Sequence, residues 1–117
     1  MKAAQLLLAL RRETRNRAYV RRLEMLDESQ TMLKVRLHIS TDLFVQVYRN
    51  DHFETTNLAL IYNGQRLYAR DQLDGAWHRH TAAAPHLHDA SAEGRRPAEL
   101  SEFLDEVENV LTAMGLP

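Results

Sequence analysis

Four of the six histidines in the chain lie within residues 77–89, in the segments Trp77-His78-Arg79-His80 and His86-Leu87-His88-Asp89. A neutral imidazole can accept or donate a proton, or bind a metal, near neutral pH. Core packing gives no reason to concentrate histidines in this way. The segment is therefore the first candidate for a functional site.

The first chemistry that fits this segment is acid–base cleavage of a phosphodiester. Alternation along a strand puts His78 and His80 on one face and Trp77 and Arg79 on the other. One imidazole would remove a proton from a ribose 2′-hydroxyl, and the other would protonate the leaving 5′-oxygen. Arginines would neutralise the phosphate, and no metal is required. The cations available for this role are Arg66, Arg70 and Arg79, and Tyr68 could be an additional proton donor.

The second chemistry that fits is metal binding. His78 and His80 would be two ligands, and the set would be completed by His86, His88 or Asp89. Strand His-x-His pairs are common in such sites, and nitrogen and oxygen ligands suit zinc, nickel, manganese or iron. The spacing permits a divalent transition metal without being diagnostic. A third interpretation is that these histidines are exposed polar residues of an edge strand and its loop.

Composition limits the other classes of protein. A chain of 117 residues is expected to form a single domain, 1–117, with its own hydrophobic core. The absence of cysteine excludes disulfides, a thiolate zinc site and a cysteine nucleophile, and it favours a cytoplasmic protein. The apolar run at residues 6–10 is too short to span a bilayer and is followed by arginines, so we expect no targeting or membrane segment.

Charged residues are distributed unevenly between the two ends of the chain. Residues 1–27 carry seven basic and three acidic side chains, whereas residues 98–117 carry five acidic side chains and no basic one. This asymmetry suggests one side that faces a polyanion and an opposite side that does not. For a charge run alone, ordinary solvated surfaces are the more common explanation.

The periodicity of apolar residues predicts an α+β protein. Alternation with a period of two predicts strands in six segments: 19–27, 33–40, 43–49, 55–62, 65–71 and 77–81. Helices are predicted over residues 2–12 and from Pro97 to Met114, while residues 82–97 form a loop. The expected architecture is an antiparallel meander of about five to six strands, with the N-terminal and C-terminal helices packed on one face.

Asn63-Gly64 is a strong hairpin signal and predicts a register for the strands on either side. If these two residues form the turn, Tyr62 faces Gln65, and the pairs Leu60–Leu67 and Leu58–Ala69 form an apolar face that meets the core. The open face would then carry a row of three side chains, Arg66, Tyr68 and Arg70. Asn57 would lie opposite Arg70. Such a row could hold phosphate and stack a base, or it could be a solvated sheet surface.

The face occupied by His78 and His80 depends on the next turn. A two-residue Asp74-Gly75 turn pairs Arg70 with Arg79 and directs the two histidines toward the face of Leu67. A longer turn reverses this arrangement. The sequence does not choose between them.

The order of elements resembles the TumE-like toxins of prokaryotic type II toxin–antitoxin systems, from about residue 18 onward. The segments that carry the resemblance are the strand Asp42-Leu43-Phe44-Val45-Gln46-Val47-Tyr48-Arg49, the hairpin at residues 59–71, the strand Trp77-His78-Arg79-His80 and the closing helix at residues 100–107. The most specific pieces are the Tyr- and Arg-bearing strand that ends in Asp71 and the His-x-His after it.

The resemblance implies a small cytoplasmic toxin that acts on RNA and is neutralised by a cognate antitoxin. Antitoxins of this kind often carry a helix-turn-helix DNA-binding domain. Only His78, Arg79 and His80 match the motif of the family, and His86 and His88 lie outside it. We further expect no membrane partner and allow for a homodimer.

Overall fold

A computed structural model describes residues 2–81 and 91–117. The elements are, in chain order, α1 (Ala3–Asn16), β1 (Arg22–Glu28), β2 (Met32–Ser40), β3 (Leu43–Asn50), β4 (Thr55–Tyr62), β5 (Gln65–Leu73), β6 (Ala76–His80) and α2 (Leu100–Met114). The predicted α+β class is confirmed. The last helix begins at Leu100 rather than at Pro97. Of the predicted loop 82–97, residues 82–90 lie outside the described residues and residues 92–95 form turns.

The six strands form one antiparallel sheet in which each strand pairs with its neighbours in sequence. Two of the hairpins have tight turns at Asn63-Gly64 and Asp74-Gly75. All four of these residues have positive φ, between 49° and 82°. Positive φ at both central positions is what a type I′ turn requires, and this turn matches the twist of antiparallel strands.

Both helices pack on one face of the sheet, which we call the helix face. Its apolar side chains come from alternating positions, such as Val35, Leu37, Val45 and Leu58, and they are fully buried. Burial of each such side chain stabilises the fold by about 1.5–3 kcal/mol. The helix residues that complete the core are Leu6, Leu10, Phe103, Leu104, Val107 and Leu111. In the described part of the chain, no helix is long and apolar enough to cross a membrane.

The predicted register between β4 and β5 is correct only beside the turn. Tyr62 pairs with Gln65, as predicted, and Ile61 pairs with Arg66. The next pair is Leu60 with Tyr68, so Leu67 is an extra residue on β5. Such a β-bulge exchanges the two faces for every later residue of the strand.

The bulge makes three of the predicted pairs wrong. Leu58 faces Arg70 instead of Ala69, Leu60 does not face Leu67, and Asn57 faces Asp71 instead of Arg70. The apolar face of β4 does meet the core, as expected. Its partners on β5, however, are Tyr68 and Arg70, which were predicted for the open face.

Tyr68 and Arg70 contact α2 across the helix face. The Tyr68 ring stacks on Phe103 with 5.8 Å between the ring centroids, and burial raises the pKa of its hydroxyl. The Arg70 side chain is 0% exposed and donates two hydrogen bonds to the Glu106 carboxylate, at 2.9 Å from Nε and 2.6 Å from Nη2. Its Nη1 donates to the Glu93 carbonyl at 2.9 Å. Arg70 therefore joins β5 to α2.

We predict that Arg70→Ala lowers the free energy of unfolding by about 3 kcal/mol, because breaking a buried ion pair leaves a charge without its partner. This value is at the lower end of the range for such pairs, since the Glu106 side chain is 24% exposed. Urea denaturation followed by circular dichroism measures the change. Arg96→Ala removes a solvent-exposed pair with Glu93 and Glu102 and should change stability little. Equal effects of the two substitutions would contradict this account of Arg70.

Tyr19 gives a second prediction about stability. Its hydroxyl donates to the Leu104 carbonyl at 2.7 Å, and burial raises its pKa to about 12. The unfolded chain loses this proton near pH 10, whereas the folded protein keeps it until about pH 12. The contribution of Tyr19 to stability is therefore present below pH 10 and is lost as the pH rises toward 12. The stability difference between the wild type and Tyr19→Phe in urea denaturation should shrink between pH 9 and pH 11, and a constant difference would contradict this.

Candidate active site

His78 and His80 lie on the face of the sheet opposite to the helices, which we call the open face. The two-residue Asp74-Gly75 turn pairs Arg70 with Arg79, and this pairing resolves the choice that the sequence left open. His78 is directly opposite Asp71, and His80 is opposite Ala69. Because of the bulge, this face of β5 is the one that faces away from α1 and α2.

His80 is held between a carboxylate and a guanidinium. Its Nε2 lies 3.4 Å from Asp71 Oδ2, and its Nδ1 lies 3.3 Å from Arg66 Nη2. The Asn57 amide donates to Asp71 Oδ1 at 2.6 Å, and Arg66 Nη1 lies 3.8 Å from Asp71 Oδ2. These residues, together with His78 on the same face, are called the His80 cluster: Asn57, Arg66, Asp71, His78 and His80.

The contacts of His80 with Arg66 and Asp71 indicate which ring nitrogen carries the proton. A guanidinium can only donate hydrogen bonds, so the Nδ1 that faces Arg66 must be the acceptor. An ionised carboxylate can only accept, so the Nε2 that faces Asp71 must carry the proton. These two contacts fit an imidazole that carries its proton on Nε2 and is oriented by Asp71.

The members of the His80 cluster differ in exposure. His80 is 2% exposed and Asp71 is 7% exposed, whereas the Arg66 side chain is 35% exposed and His78 is half-buried. A ligand that approaches the open face therefore meets Arg66 and His78 before it meets His80. A cation and an imidazole at the accessible side suit an anionic ligand such as a phosphodiester.

The structure brings together only part of the predicted site. His78, His80 and Arg66 share the open face, whereas Arg70, Tyr68 and Arg79 lie on the helix face. The predicted row of Arg66, Tyr68 and Arg70 is broken by the bulge at Leu67, so Arg66 is separated from the other two residues. Arg70 is fully buried against α2 and cannot approach a ligand on the open face.

Sequence reasoning missed Asn57 and Asp71 as members of the site. Asp and Asn are depleted in strands because they compete with the backbone for hydrogen bonds. Asp71 within a strand, followed after a turn by His-x-His, was the available signal. The partnership of Asn57 with Asp71 could not be found, because it depends on the register change at the bulge.

The alternative metal site remains a prediction. Two of its four histidines, His86 and His88, lie outside the described residues, as does Asp89. Among residues 2–81 and 91–117, no group of three or more His, Asp or Glu side chains is arranged to hold a metal ion. The contacts of His80 with Arg66 and Asp71 instead fit acid–base chemistry.

No protein-family model, no curated protein and no solved structure matched the chain in three comparisons with known proteins. The resemblance to TumE-like toxins therefore stays a prediction from the motifs.

We predict that His80 gives the ¹⁵N signature of a neutral Nε2–H imidazole at pH 7 in long-range ¹H–¹⁵N NMR spectra. Asp71→Asn should change this signature, because the acceptor of the Nε2 proton is weakened. Asp74→Asn, in the exposed turn beyond the cluster, is the matched control and should leave it unchanged. An Nδ1–H ring in the wild type would contradict the geometry described above.

Proposed function

We propose that the chain is a metal-independent endoribonuclease and the toxin of a toxin–antitoxin pair. The observation that carries this proposal is the position of His80, held between Asp71 and Arg66 with His78 on the same face. A carboxylate that orients a neutral imidazole is the arrangement in which histidine acts as a general base. Arg66 supplies the cation that a phosphodiester needs.

Arg66 is proposed to bind the phosphate and to release the base at the same time. In the absence of substrate, its guanidinium occupies the lone pair of His80 Nδ1. A phosphate is a stronger, charge-assisted acceptor than a neutral imidazole, so it would draw the half-exposed Arg66 side chain away. The freed Nδ1 would then take the proton of a ribose 2′-hydroxyl, while Asp71 stabilises the resulting imidazolium through Nε2–H.

His78 is proposed to act as the general acid. Two residues along a strand separate it from His80 by about 7 Å, which leaves room for a phosphate between the two rings. The 2′-oxygen would attack phosphorus and the bond from phosphorus to the 5′-oxygen would break, with His78 protonating the leaving oxygen. The products would be a 2′,3′-cyclic phosphate and a 5′-hydroxyl.

The other predicted site residues receive different roles in this proposal. Arg70 and Tyr68 fix β5 against α2 and so position the residues that follow on the opposite face. Arg79 lies on the helix face, opposite Arg70, and is not assigned to the phosphate. Phosphate binding is assigned to Arg66 instead.

The biological setting follows from the resemblance and is part of the proposal. The protein would act in the cytoplasm and arrest growth by cleaving RNA. A cognate antitoxin with a helix-turn-helix DNA-binding domain would neutralise it. A short helix-turn-helix gene beside the coding sequence would support this setting.

We predict that His80→Gln, His78→Gln and Asp71→Asn each reduce RNA cleavage by about 100-fold or more, because general acid–base catalysis contributes about 10²–10⁴-fold. Cleavage of a labelled RNA by purified protein, with analysis of the product ends, measures the effect. The same substitutions should relieve growth arrest when the chain is expressed alone. His52→Gln, in an exposed turn, is the matched control and should behave as the wild type.

Three results would contradict the proposal. The first is cleavage that survives both histidine substitutions, and the second is RNA binding with no cleaved product, which would indicate a non-catalytic binding module. The third is loss of cleavage in EDTA, restored by a transition metal that elemental analysis also finds in the purified protein. That result would favour the alternative metal site.

A further inference from the structure

The open face continues beyond the His80 cluster onto the central strands β2 and β3. Two straight rows of paired residues cross the sheet there, because each strand is in register with the next. One row runs through Lys34, Tyr48, Asn57, Asp71 and His78. The other row runs through Arg36, Gln46, Ala59, Ala69 and His80. Both rows continue onto the edge strand β1, where Asp27 is opposite Lys34 and Glu24 is opposite Arg36, and both end at a candidate catalytic histidine on β6. In the second row Ala59, Ala69 and His80 are buried, so the first row is the more accessible one.

Two aromatic side chains lie on the same face of β3. Phe44 and Tyr48 flank Gln46, and both residues are half-buried rather than buried. The Arg36 guanidinium lies over the Phe44 ring, 4.6 Å from its centroid, and its Nε is 3.4 Å from the Gln46 amide oxygen. A base that stacks on Phe44 would therefore displace the guanidinium toward a phosphate. An aromatic ring with an adjacent arginine is a combination that stacks nucleic acid bases and holds the phosphates between them.

The dimensions of the face suit a short single strand. Four strand spacings separate β2 from β6, a distance of about 19 Å. Four-stranded sheets that recognise RNA stack two or three bases on aromatic residues of their central strands. Paired bases in an A-form duplex are stacked on each other and hide their faces, so they could not lie on Phe44 and Tyr48.

The charges of this face also favour a polyanion. Across β2 to β5 it carries Lys34, Arg36 and Arg66, whereas Asp71 is the acidic residue of the same strands and contacts Asn57 and His80. On the neighbouring edge strand β1, Glu24 is opposite Arg36 and Asp27 is opposite Lys34, and the Glu24 carboxylate is 2.7 Å from the imidazole of His38. On strands β2 to β5 the three cations therefore outnumber the single carboxylate, which favours phosphates that cross these strands.

We infer that single-stranded RNA crosses the open face from β2 to β6, with two bases stacked on Phe44 and Tyr48 and phosphates held by Lys34 and Arg36. This path leads to Arg66 and the two histidines, so the inference names the substrate class of the proposed endoribonuclease and rests on that function. Recognition by stacking tolerates any base, which predicts weak sequence preference and strong dependence on salt.

Binding of a fluorescein-labelled 12-nucleotide RNA, followed by anisotropy, tests this surface. The His80→Gln chain is used so that the RNA stays intact. Phe44→Leu and Tyr48→Leu should each weaken binding by about 10-fold, within the range for loss of one base–aromatic stack. Phe53→Leu removes an exposed aromatic ring from the β3–β4 turn and is the matched control, which should bind as the parent does.

The charged residues are tested by the salt dependence of the same binding. Arg36→Gln and Lys34→Gln should each reduce the slope of log affinity against log salt by about one phosphate contact. The same RNA annealed to its complement should bind at least 10-fold more weakly than the single strand. Thermal denaturation of each variant establishes that it is folded at the assay temperature.

The outcomes separate this inference from the proposed function. Unchanged binding in Phe44→Leu and Tyr48→Leu, or equal binding of duplex and single strand, would overturn the RNA path. Cleavage that still depends on His78 and His80 would leave the endoribonuclease standing in that case. RNA binding that depends on both aromatic residues, with no cleavage by the wild type, would support the RNA-binding surface and contradict the proposed endoribonuclease activity. Absence of both binding and cleavage would overturn both.

Discussion

The single extra residue at Leu67 is the constraint on which the two faces of this protein depend. A strand has a side-chain period of two, so one inserted residue exchanges the faces for all that follows. Before the bulge, Arg66 points to the open face, and after it Tyr68 and Arg70 point to the helices. Without this exchange, Arg70 would be on the solvent side and Asp71 would be in the core. The bulge therefore places the Arg70–Glu106 ion pair on the helix face and the contact of Asp71 with His80 on the open face.

These two ion pairs occupy consecutive residues of β5 and differ in what their environments require. Arg70 is removed from water, and an unpaired charge there would cost several kcal/mol, so its hydrogen bonds to Glu106 are important for stability. The next residue, Asp71, faces the other way and orients a histidine. The position of Asp71 therefore depends on the contact between Arg70 and α2, because adjacent residues of a strand move together.

The sequence was sufficient to predict the elements and their order. The strands, both helices and the tight turns follow from periodicity and from Asn-Gly and Asp-Gly pairs, which are local signals. The sequence was not sufficient to predict which residues of β5 lie on which face of the sheet. Nothing in the run Arg66-Leu67-Tyr68 marks Leu67 as the extra residue. The contacts that Tyr68 and Arg70 make with α2 depend on the face that the bulge gives them. Those contacts join residues far apart in sequence.

The same physical reason explains why the histidines were recognised and their partners were not. Residue type alone identifies His78 and His80 as candidates. The residues that surround each histidine, however, come from the neighbouring strand and are determined by the register of the sheet. β6 is an edge strand of five residues whose partner in the sheet is β5. Its register is fixed by the two-residue turn, and the register of β5 against β4 is fixed by the bulge. Both are needed before Asp71 faces His78 and Arg66 reaches His80. The site is thus a product of two local backbone features acting in series. The sequence predicts the location of the turn but not its length, and it does not mark the bulge.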